Sequence, residues 1–131
     1  MNCPVCTSPQ IIIEFNETEL DYCPQCMGVW LDAGELETLM DDREAAQKIL
    51  ASFHHAESPE KKVPCPRCGK KMEKVTTESN KKIVVDRCTS GHGLWFDKGE
   101  IQQIISEGSG EVQKPVVRQL QELFGFNNNI H

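Results

Sequence analysis

Apolar residues along the chain form short strand-like runs, and each set of runs is followed by apolar residues at helical spacing. In the first half, the β-branched run at residues 11–13 and the segment at 20–22 predict a β-hairpin that turns at 16–18. Residues 29–31 predict a third strand. The same order recurs in the second half, so the pattern predicts two similar units.

The strands of the second unit are predicted at residues 72–77 and 82–87, with a turn near 78–80. The β-branched stretch at 83–85 is strongly typical of a strand. Residues 95–96 occupy the position of the third strand. The two units therefore share one plan, a hairpin followed by a short strand.

A helix is predicted after the third strand of each unit. Asp32 is expected to cap the first helix, with Glu35 completing a capping box, and Asp97 and Glu100 repeat this pair in the second unit. The first helix is expected to be continuous and to end before His54. Its apolar face consists of Leu36, Leu39, Met40, Ala46, Leu50 and Phe53.

The second helix is predicted to be shorter and to end at residues 108–110, where two glycines flank a serine. Pro115 is suited to the first position of a last helix. The residues after 124 are expected to form a loose tail. The apolar positions of these two helices are Ile101, Ile104, Ile105, Val116, Val117, Leu120, Leu123 and Phe124.

These elements divide the chain into a first unit at 1–53, a linker at 54–63, a second unit at 64–108, and a C-terminal helix and tail at 109–131. Units this short bury little apolar surface and need a disulfide or a metal to be stable. Hydrophobic residues make up 38% of the chain and aromatic residues 6%, which is enough for a small core only. The expected fold class is a small metal-stabilised α+β protein.

Seven cysteines and one histidine sort into two sets of four. The sets are Cys3, Cys6, Cys23 and Cys26 in the first unit, and Cys65, Cys68, Cys88 and His92 in the second. Pairs of thiolates two residues apart, carried by separate turns, fit the tetrahedral geometry of structural zinc. We expect two zinc ions per chain, and iron in a rubredoxin-like site is the alternative that the ligands leave open.

Whether the second site has a fourth protein ligand depends on His92. It follows the position at which the first unit has its fourth cysteine, and an imidazole reaches far enough for this spacing to work. His54, His55 and His131 are the alternative ligands. Without His92 the site would have three cysteines and an open position for water, with Glu100 as a candidate base. Because Glu35 occupies the same place beside a site of four cysteines, we expect capping instead, and no enzymatic activity.

Charge is distributed unevenly between the halves of the chain. The net charge is −6, with about −9 carried by residues 1–57 and about +3 by residues 58–131. Basic residues of the second unit could contact nucleic acid, and the candidates are Lys61, Lys62, Arg67, Lys70, Lys71, Lys74, Lys81, Lys82 and Arg87. Trp30 and Trp95 could stack on bases, but a role in covering a minimal core is the expected one.

The two units share the motif C-P-x-C, followed by a second ligand pair and the tail W-[LF]-D-x-G-E-[LI], at residues 30–36 and 95–101. This pattern resembles the bacterial zinc-ribbon family named after the transcription factor IIB zinc finger. The resemblance covers residues 3–40 and 65–105, and the second copy departs from it at His92. It implies two zinc ribbons and zinc binding, and says little about the biological role.

We expect a protein-interaction adaptor, with transcription machinery as one candidate partner. A nucleic-acid-binding zinc finger using Lys70, Lys71, Lys81 and Lys82 is one alternative, and a redox- or zinc-responsive regulator is another. A homodimer through the C-terminal helix is also considered. The sequence has no apolar leader and no run long enough to span a bilayer, so a cytoplasmic location is expected.

Overall fold

The structure is a computed structural model, and it describes residues 1–15, 17–77, 83–101 and 103–104. The predicted helix beginning at Pro115, the tail after it, and the candidate contacts Lys81 and Lys82 lie outside these residues. Within the described ranges, no helix has both the length and the apolar character that crossing a bilayer requires.

The first unit contains three antiparallel strands, β1 (Ile11–Phe15), β2 (Thr18–Tyr22) and β3 (Val29–Asp32). The predicted hairpin and third strand are therefore confirmed. Ile13 pairs with Leu20 across the hairpin.

The trailing helix of the first unit is divided in two, α1 (Glu35–Met40) and α2 (Arg43–Ser52), so the prediction of one continuous helix is wrong. Asp41 adopts a left-handed conformation with φ 52°, which ends α1. The side chain of Asp42 then accepts a hydrogen bond of 3.0 Å from the amide of Ala45 and caps α2. Two consecutive aspartates thus begin a new helix within a pattern that remains apolar at helical spacing.

The second unit repeats the three strands as β5 (Glu73–Thr76), β6 (Val84–Arg87) and β7 (Gly93–Phe96). Before them, His54–His55 forms a short strand, β4, that pairs with β5. The residues assigned to a linker from the sequence therefore begin inside the sheet. After β7, helical backbone resumes at Glu100.

One continuous sheet of described strands joins the two units, in the order β1-β2-β3-β7-β6-β5-β4. The junction is β3 against β7, where Trp30 lies opposite Trp95, Val29 opposite Phe96, and Leu31 opposite Leu94. Because equivalent residues of the repeats exchange places across this pair, an approximate two-fold axis passes between the tryptophans.

Side chains alternate across the sheet and so divide the core into two clusters. Val29, Leu31 and Phe96 belong to an aliphatic cluster with the residues of α1 and α2. Trp30 and Trp95 point the other way and pack with the cysteines. The small α+β fold with two zinc ribbons is thus confirmed, with helices on one face of the central sheet and the cysteine clusters on the other.

Candidate metal centres

The four cysteines of the first unit converge on one point. Cys3 Sγ lies 3.6 Å from Cys26 Sγ, and Cys6 Sγ lies 3.4 Å from Cys23 Sγ. All four sulfur atoms lie within 4.8 Å of one another. A regular tetrahedron with zinc–sulfur bonds of about 2.3 Å has sulfur atoms about 3.8 Å apart. The cluster therefore has the size that a four-thiolate zinc site requires.

Backbone amides of the turns point at the sulfur atoms. Cys3 Sγ accepts from the amides of Val5 and Cys6 at 3.4 and 3.5 Å, and Cys23 Sγ accepts from Cys26 at 3.5 Å. These N–H groups stabilise thiolate charge without adding a charged side chain.

Three of the four turns close in the same way. The residue after the second cysteine donates its amide to the carbonyl of the first, for Thr7, Met27 and Gly69, at 2.8–2.9 Å. Each of these residues has positive φ, between 65° and 79°. In the second turn it is Met27, not the glycine that follows it, that has the unusual backbone conformation.

Gly28 is required for a different reason. A Cβ atom at this position would lie 2.1 Å from Cζ2 of Trp95, far inside van der Waals contact. Its counterpart Gly93 approaches Trp30 and the carbonyl oxygen of Leu31 in the same way. Each glycine thus makes room for the tryptophan of the other unit. The repeated glycine two residues before tryptophan is the sequence signal that could have indicated this contact.

The second site closes around a shorter turn. The amide of Gly91, not that of His92, bonds to the carbonyl of Cys88, at 3.1 Å, and Gly91 has φ 83°. This tighter turn places Nδ1 of His92 3.3 Å from Cys88 Sγ. Cys68 Sγ lies 3.7 Å from Cys88 Sγ. The glycine in place of the fourth cysteine therefore turns the chain early enough for the next residue to reach the site.

The ligand atoms of Cys65, Cys68, Cys88 and His92 all lie within 4.8 Å of one another. Two of the alternative ligands, His54 and His55, do not belong to this group. His54 and His55 form β4, where His54 Nδ1 lies 3.2 Å from the carbonyl oxygen of Ser52. His131 lies outside the described residues. The two sites fit two zinc ions per chain, and the donor set of four protein ligands at each resembles structural zinc.

The thiols differ in acidity in the absence of metal. Burial raises the pKa of Cys26 to about 12, while hydrogen bonds from Ser8 lower the pKa of Cys6 to about 6. Burial also acts to raise the pKa of Cys88, but hydrogen bonds from the amide and imidazole of His92 lower it to about 6. Because zinc binds thiolate, each site contains at least one sulfur that is readily deprotonated, and loading releases protons from the others.

The motif W-x-D-x-x-E forms a hydrogen-bonded chain. Trp30 Nε1 donates to Asp32 Oδ1 at 2.8 Å, and the amide of Asp32 donates to Glu35 Oε1 at 2.7 Å. Trp95, Asp97 and Glu100 repeat it at 3.0 and 3.0 Å. The residues that form the two hydrogen-bonded chains are Trp30, Asp32, Glu35, Trp95, Asp97 and Glu100.

Asp32 is therefore not the helix cap that we predicted. The N-cap residue of α1 is Gly34, with φ 90°, and no side chain caps this helix. Only the second half of the capping box forms, in which glutamate accepts the aspartate amide. Burial, and then the charge of Asp97, raise the pKa of Glu100 to about 8. Glu100 is held by the backbone in the same way as Glu35, which favours a structural role for both.

Asp32 also joins the two units. Its carboxylate accepts two hydrogen bonds from the guanidinium of Arg67, at 2.6 and 2.8 Å. The hydrogen bond from Arg67, opposed by burial, lowers the pKa of Asp32. Arg67, which the sequence offers as a candidate phosphate contact, is therefore bound to the first unit instead.

Two more basic residues of the second unit are paired with acids. Lys74 Nζ lies 2.8 Å from Asp86, and both side chains are buried. Arg87 Nε lies 3.0 Å from Glu73. Lys70 and Lys71 are exposed. Both tryptophans have 0% exposed surface, which leaves no aromatic face of theirs for a nucleic-acid base.

Comparison with known proteins agrees with this geometry. Residues 2–42 and 64–107 each match the model of the zinc-ribbon family described as transcription factor zinc-finger. No curated protein and no solved structure matches the chain significantly. The two matches cover most of the chain, and the chain therefore belongs to this family, with two copies of its zinc ribbon.

Proposed function

We propose that the protein is a non-enzymatic, cytoplasmic adaptor that uses two structural zinc sites to present a docking surface to another protein. The observation that carries this proposal is the position of the exposed large hydrophobic residues in the described chain. All four fall within the first twelve residues, namely Met1, Val5, Ile11 and Ile12, with exposed fractions of 42%, 48%, 49% and 65%. We call this set the N-terminal apolar surface.

Local hydrogen bonds bring parts of this surface together. The amide of Gln10 donates to the carbonyl of Met1 at 3.0 Å, and Asn2 pairs with Pro9. Met1 therefore lies beside the chain that enters β1. Exposed apolar groups that the fold positions but does not cover are typical of a protein-interaction site.

Acidic residues border the N-terminal apolar surface. Glu14 and Glu19 lie opposite each other in the hairpin, and both are exposed. The first half of the chain also has the larger negative charge. A partner with apolar side chains among basic residues would match this surface. The family description supports transcription machinery as the source of such a partner.

The closed sites support the absence of catalysis. Each contains four protein donors, and structural zinc typically has four whereas catalytic zinc leaves a position open. The zinc ions would stabilise the turns and supply no reaction step.

Nucleic-acid binding is the second candidate, and the exposed lysines Lys61, Lys62, Lys70 and Lys71 favour it. Against it stand the ion pairs of Arg67, Lys74 and Arg87 and the burial of both tryptophans. These contacts leave a smaller positive surface than the sequence suggested, and we prefer the adaptor.

A pair of substitutions at matching positions tests the proposal. Val5→Glu places a charge in the N-terminal apolar surface, whereas Gln25→Glu adds the same charge at the same position of the other C-P-x-C turn of that unit. Zinc-loaded bait proteins are used to recover partners from the host, with zinc content measured for each. We expect Val5→Glu to lose a partner that the parent protein and Gln25→Glu retain.

The same proteins are then titrated with duplex DNA and with RNA at low and moderate salt. Equal recovery by both variants would contradict the adaptor proposal. Binding of DNA or RNA that weakens steeply with salt, and that Lys70→Gln with Lys71→Gln removes, would establish the nucleic-acid alternative instead.

A further inference from the structure

Strands β1 and β5 hold equivalent places in the two units, and β5 is already paired with an added segment. Strand β4 lies on the outer side of β5, with His54 opposite Thr76 and the amide of Ala56 donating to the carbonyl of Lys74 at 2.9 Å. At the other end of the sheet, β1 is the last of the described strands. The fold therefore contains one example of an extended segment added to this side of a ribbon.

Strand register shows which residues of β1 and β5 correspond. Ile12 pairs with Asp21, and Lys74 pairs with Asp86. Each aspartate lies two residues before the third cysteine of its unit. Ile12 thus corresponds to Lys74, the residue whose carbonyl accepts from the added segment. Their exposed fractions are 65% and 5%, so the position that is buried in the second unit is exposed in the first.

The main chain of β1 presents hydrogen-bonding groups along its outer side. In β2, residues with odd numbers bond towards β3, because the amide of Cys23, directly after the strand, donates to the carbonyl of Gly28. Residues of β2 with even numbers then bond towards β1, where their partners have odd numbers. The amides and carbonyls of Ile12 and Glu14 therefore face away from β2. An outward row of this kind is a template for another strand.

The side chains along β1 define the chemistry of a strand that lies beside it. Ile13 packs against the aliphatic cluster, and Ile11, on the same face of the strand, has 49% of its surface exposed. Ile12 and Glu14 lie on the other face, where Glu14 is opposite the exposed Glu19. A strand beside β1 thus meets apolar side chains at three consecutive positions and an acid at the fourth.

We propose that the outer edge of β1 is the docking site for an extended segment of the partner protein, which adds to the sheet as an antiparallel strand; this inference rests on the proposed adaptor function. The segment has a basic residue opposite Glu14, followed by three apolar residues opposite residues 13, 12 and 11. Its residue opposite Ile12 donates its amide to the carbonyl of Ile12, as the added segment of the second unit does on β5.

Charge favours a different protein over a second copy as the source of this strand. Residues 1–57 have only two basic residues, Arg43 and Lys48, and both lie in α2. Strand β1 of a second copy has Glu14 and no base, so it offers this edge no complementary charge. A partner segment with a base before three apolar residues supplies both the charge and the apolar contacts.

NMR titration of the zinc-loaded full chain with a synthetic peptide tests the proposal. The peptide is blocked at both ends and contains one lysine followed by three valines. We expect binding at low salt that slows amide exchange at Ile12 and Glu14 at least about tenfold, with Ile13, which bonds to β2, as the internal control. Ile12→Pro removes an outward amide, which an edge strand tolerates, and should abolish the protection of Glu14, whereas Ile12→Val should retain it.

N-methylation of the peptide provides a matched pair of controls. Methylating the amide of the valine opposite Ile12 removes the hydrogen bond to the Ile12 carbonyl and should weaken binding at least about fivefold. Methylating the valine before it, whose amide points away from β1, should leave binding unchanged. Zinc content is measured for every protein variant, so that a loss of binding is not confused with a loss of fold.

Each other outcome overturns the proposal. Slow exchange at Ile12 and Glu14 before peptide is added would mean that the edge is already occupied. Absence of binding at low salt would exclude a strand of this pattern, and chemical-shift changes without protection at these two amides would mean charge attraction alone. Protection that rises with protein concentration, together with a dimeric mass, would assign the edge to a second copy.

Failure of strand addition can be told apart from failure of the adaptor function. A host partner that Val5→Glu loses and Ile12→Pro retains would overturn strand addition and leave the adaptor function in place. Equal recovery by Val5→Glu and Gln25→Glu would instead contradict the adaptor function itself.

Discussion

Substituting Gly28 by alanine tests the junction between the two units most directly. The added Cβ would lie 2.1 Å from Cζ2 and 2.5 Å from Cη2 of Trp95. Trp95 has no exposed surface, and its indole N–H is bonded to Asp97 at 3.0 Å, so the ring has little freedom to move. Overpacking of this kind costs about 1–3 kcal/mol, and we expect the upper end for Gly28→Ala.

Gly34→Ala is the matched control. Gly34 has φ 90°, but nothing lies within 4 Å of the position of its Cβ. Its substitution should cost only the backbone strain of a left-handed residue, about 1 kcal/mol. Urea unfolding followed by tryptophan fluorescence measures both costs, at one fixed excess of zinc because bound metal contributes to stability.

A double-mutant cycle identifies the cause of the loss. Trp95→Phe removes the second ring, which contains Cζ2 and Cη2, and should itself destabilise the protein by leaving a cavity. Combined with Gly28→Ala, the total cost should fall short of the sum by about 1–2 kcal/mol, because the methyl group then occupies vacated space. Strict additivity, or a cost for Gly28→Ala no larger than for Gly34→Ala, would refute the packing of β3 against β7.

Three further predictions concern the sites and a buried acid. Chelation of zinc should abolish the circular dichroism signal of the folded protein, and metal analysis should find two zinc ions per chain. Retention of that signal without metal would exclude a structural role for zinc. His92→Ala should reduce the content to one zinc, whereas His55→Ala should retain two. Because the pKa of Glu100 is raised from its ordinary 4.5 to about 8, the folded protein binds more protons than the unfolded one between these values. The free energy of unfolding therefore falls as pH rises through this window. The gain in unfolding free energy from Glu100→Gln over the parent should grow up to about pH 8 and then level off, and Glu35→Gln should give a smaller gain. Unfolding free energies measured from about pH 6.5 to about pH 9 test this.

The features that could be predicted from the sequence are those set by residues close together along the chain. The β-branched run at residues 11–13 and the spacing of the cysteines depend on neighbours along the chain, and both appear in the structure as predicted. Proximity to Cys88 also made His92 recognisable as a ligand candidate. The division between α1 and α2 was missed because apolar spacing continues across it, while Asp42 acts through its own hydrogen bond with the backbone.

Contacts between the units were not predicted, because a repeated motif such as the glycine two residues before tryptophan does not state which strands of two repeats will pair. Gly28 directly follows the second cysteine turn of its own unit, although its close contact is with Trp95 of the other unit. Arg67 was counted as a solvent-facing base for the same reason, since its acidic partner Asp32 lies 35 residues away. Long-range pairing gives these residues their roles, and a single sequence records only their types.

Pairing of the two units has a physical consequence for the two tryptophans. A ribbon of three short strands offers one face to its helices, and the tryptophan of β3 or β7 points to the opposite face among the cysteines. One unit has no second layer to cover that ring. Pairing β3 with β7 sets Trp30 opposite Trp95 and lets each ring fill the space left by the other unit's glycine, so both are fully buried. Zinc is expected to organise the turns of each ribbon, while each tryptophan is buried against the glycine of the other ribbon, so we expect a single ribbon to expose its tryptophan.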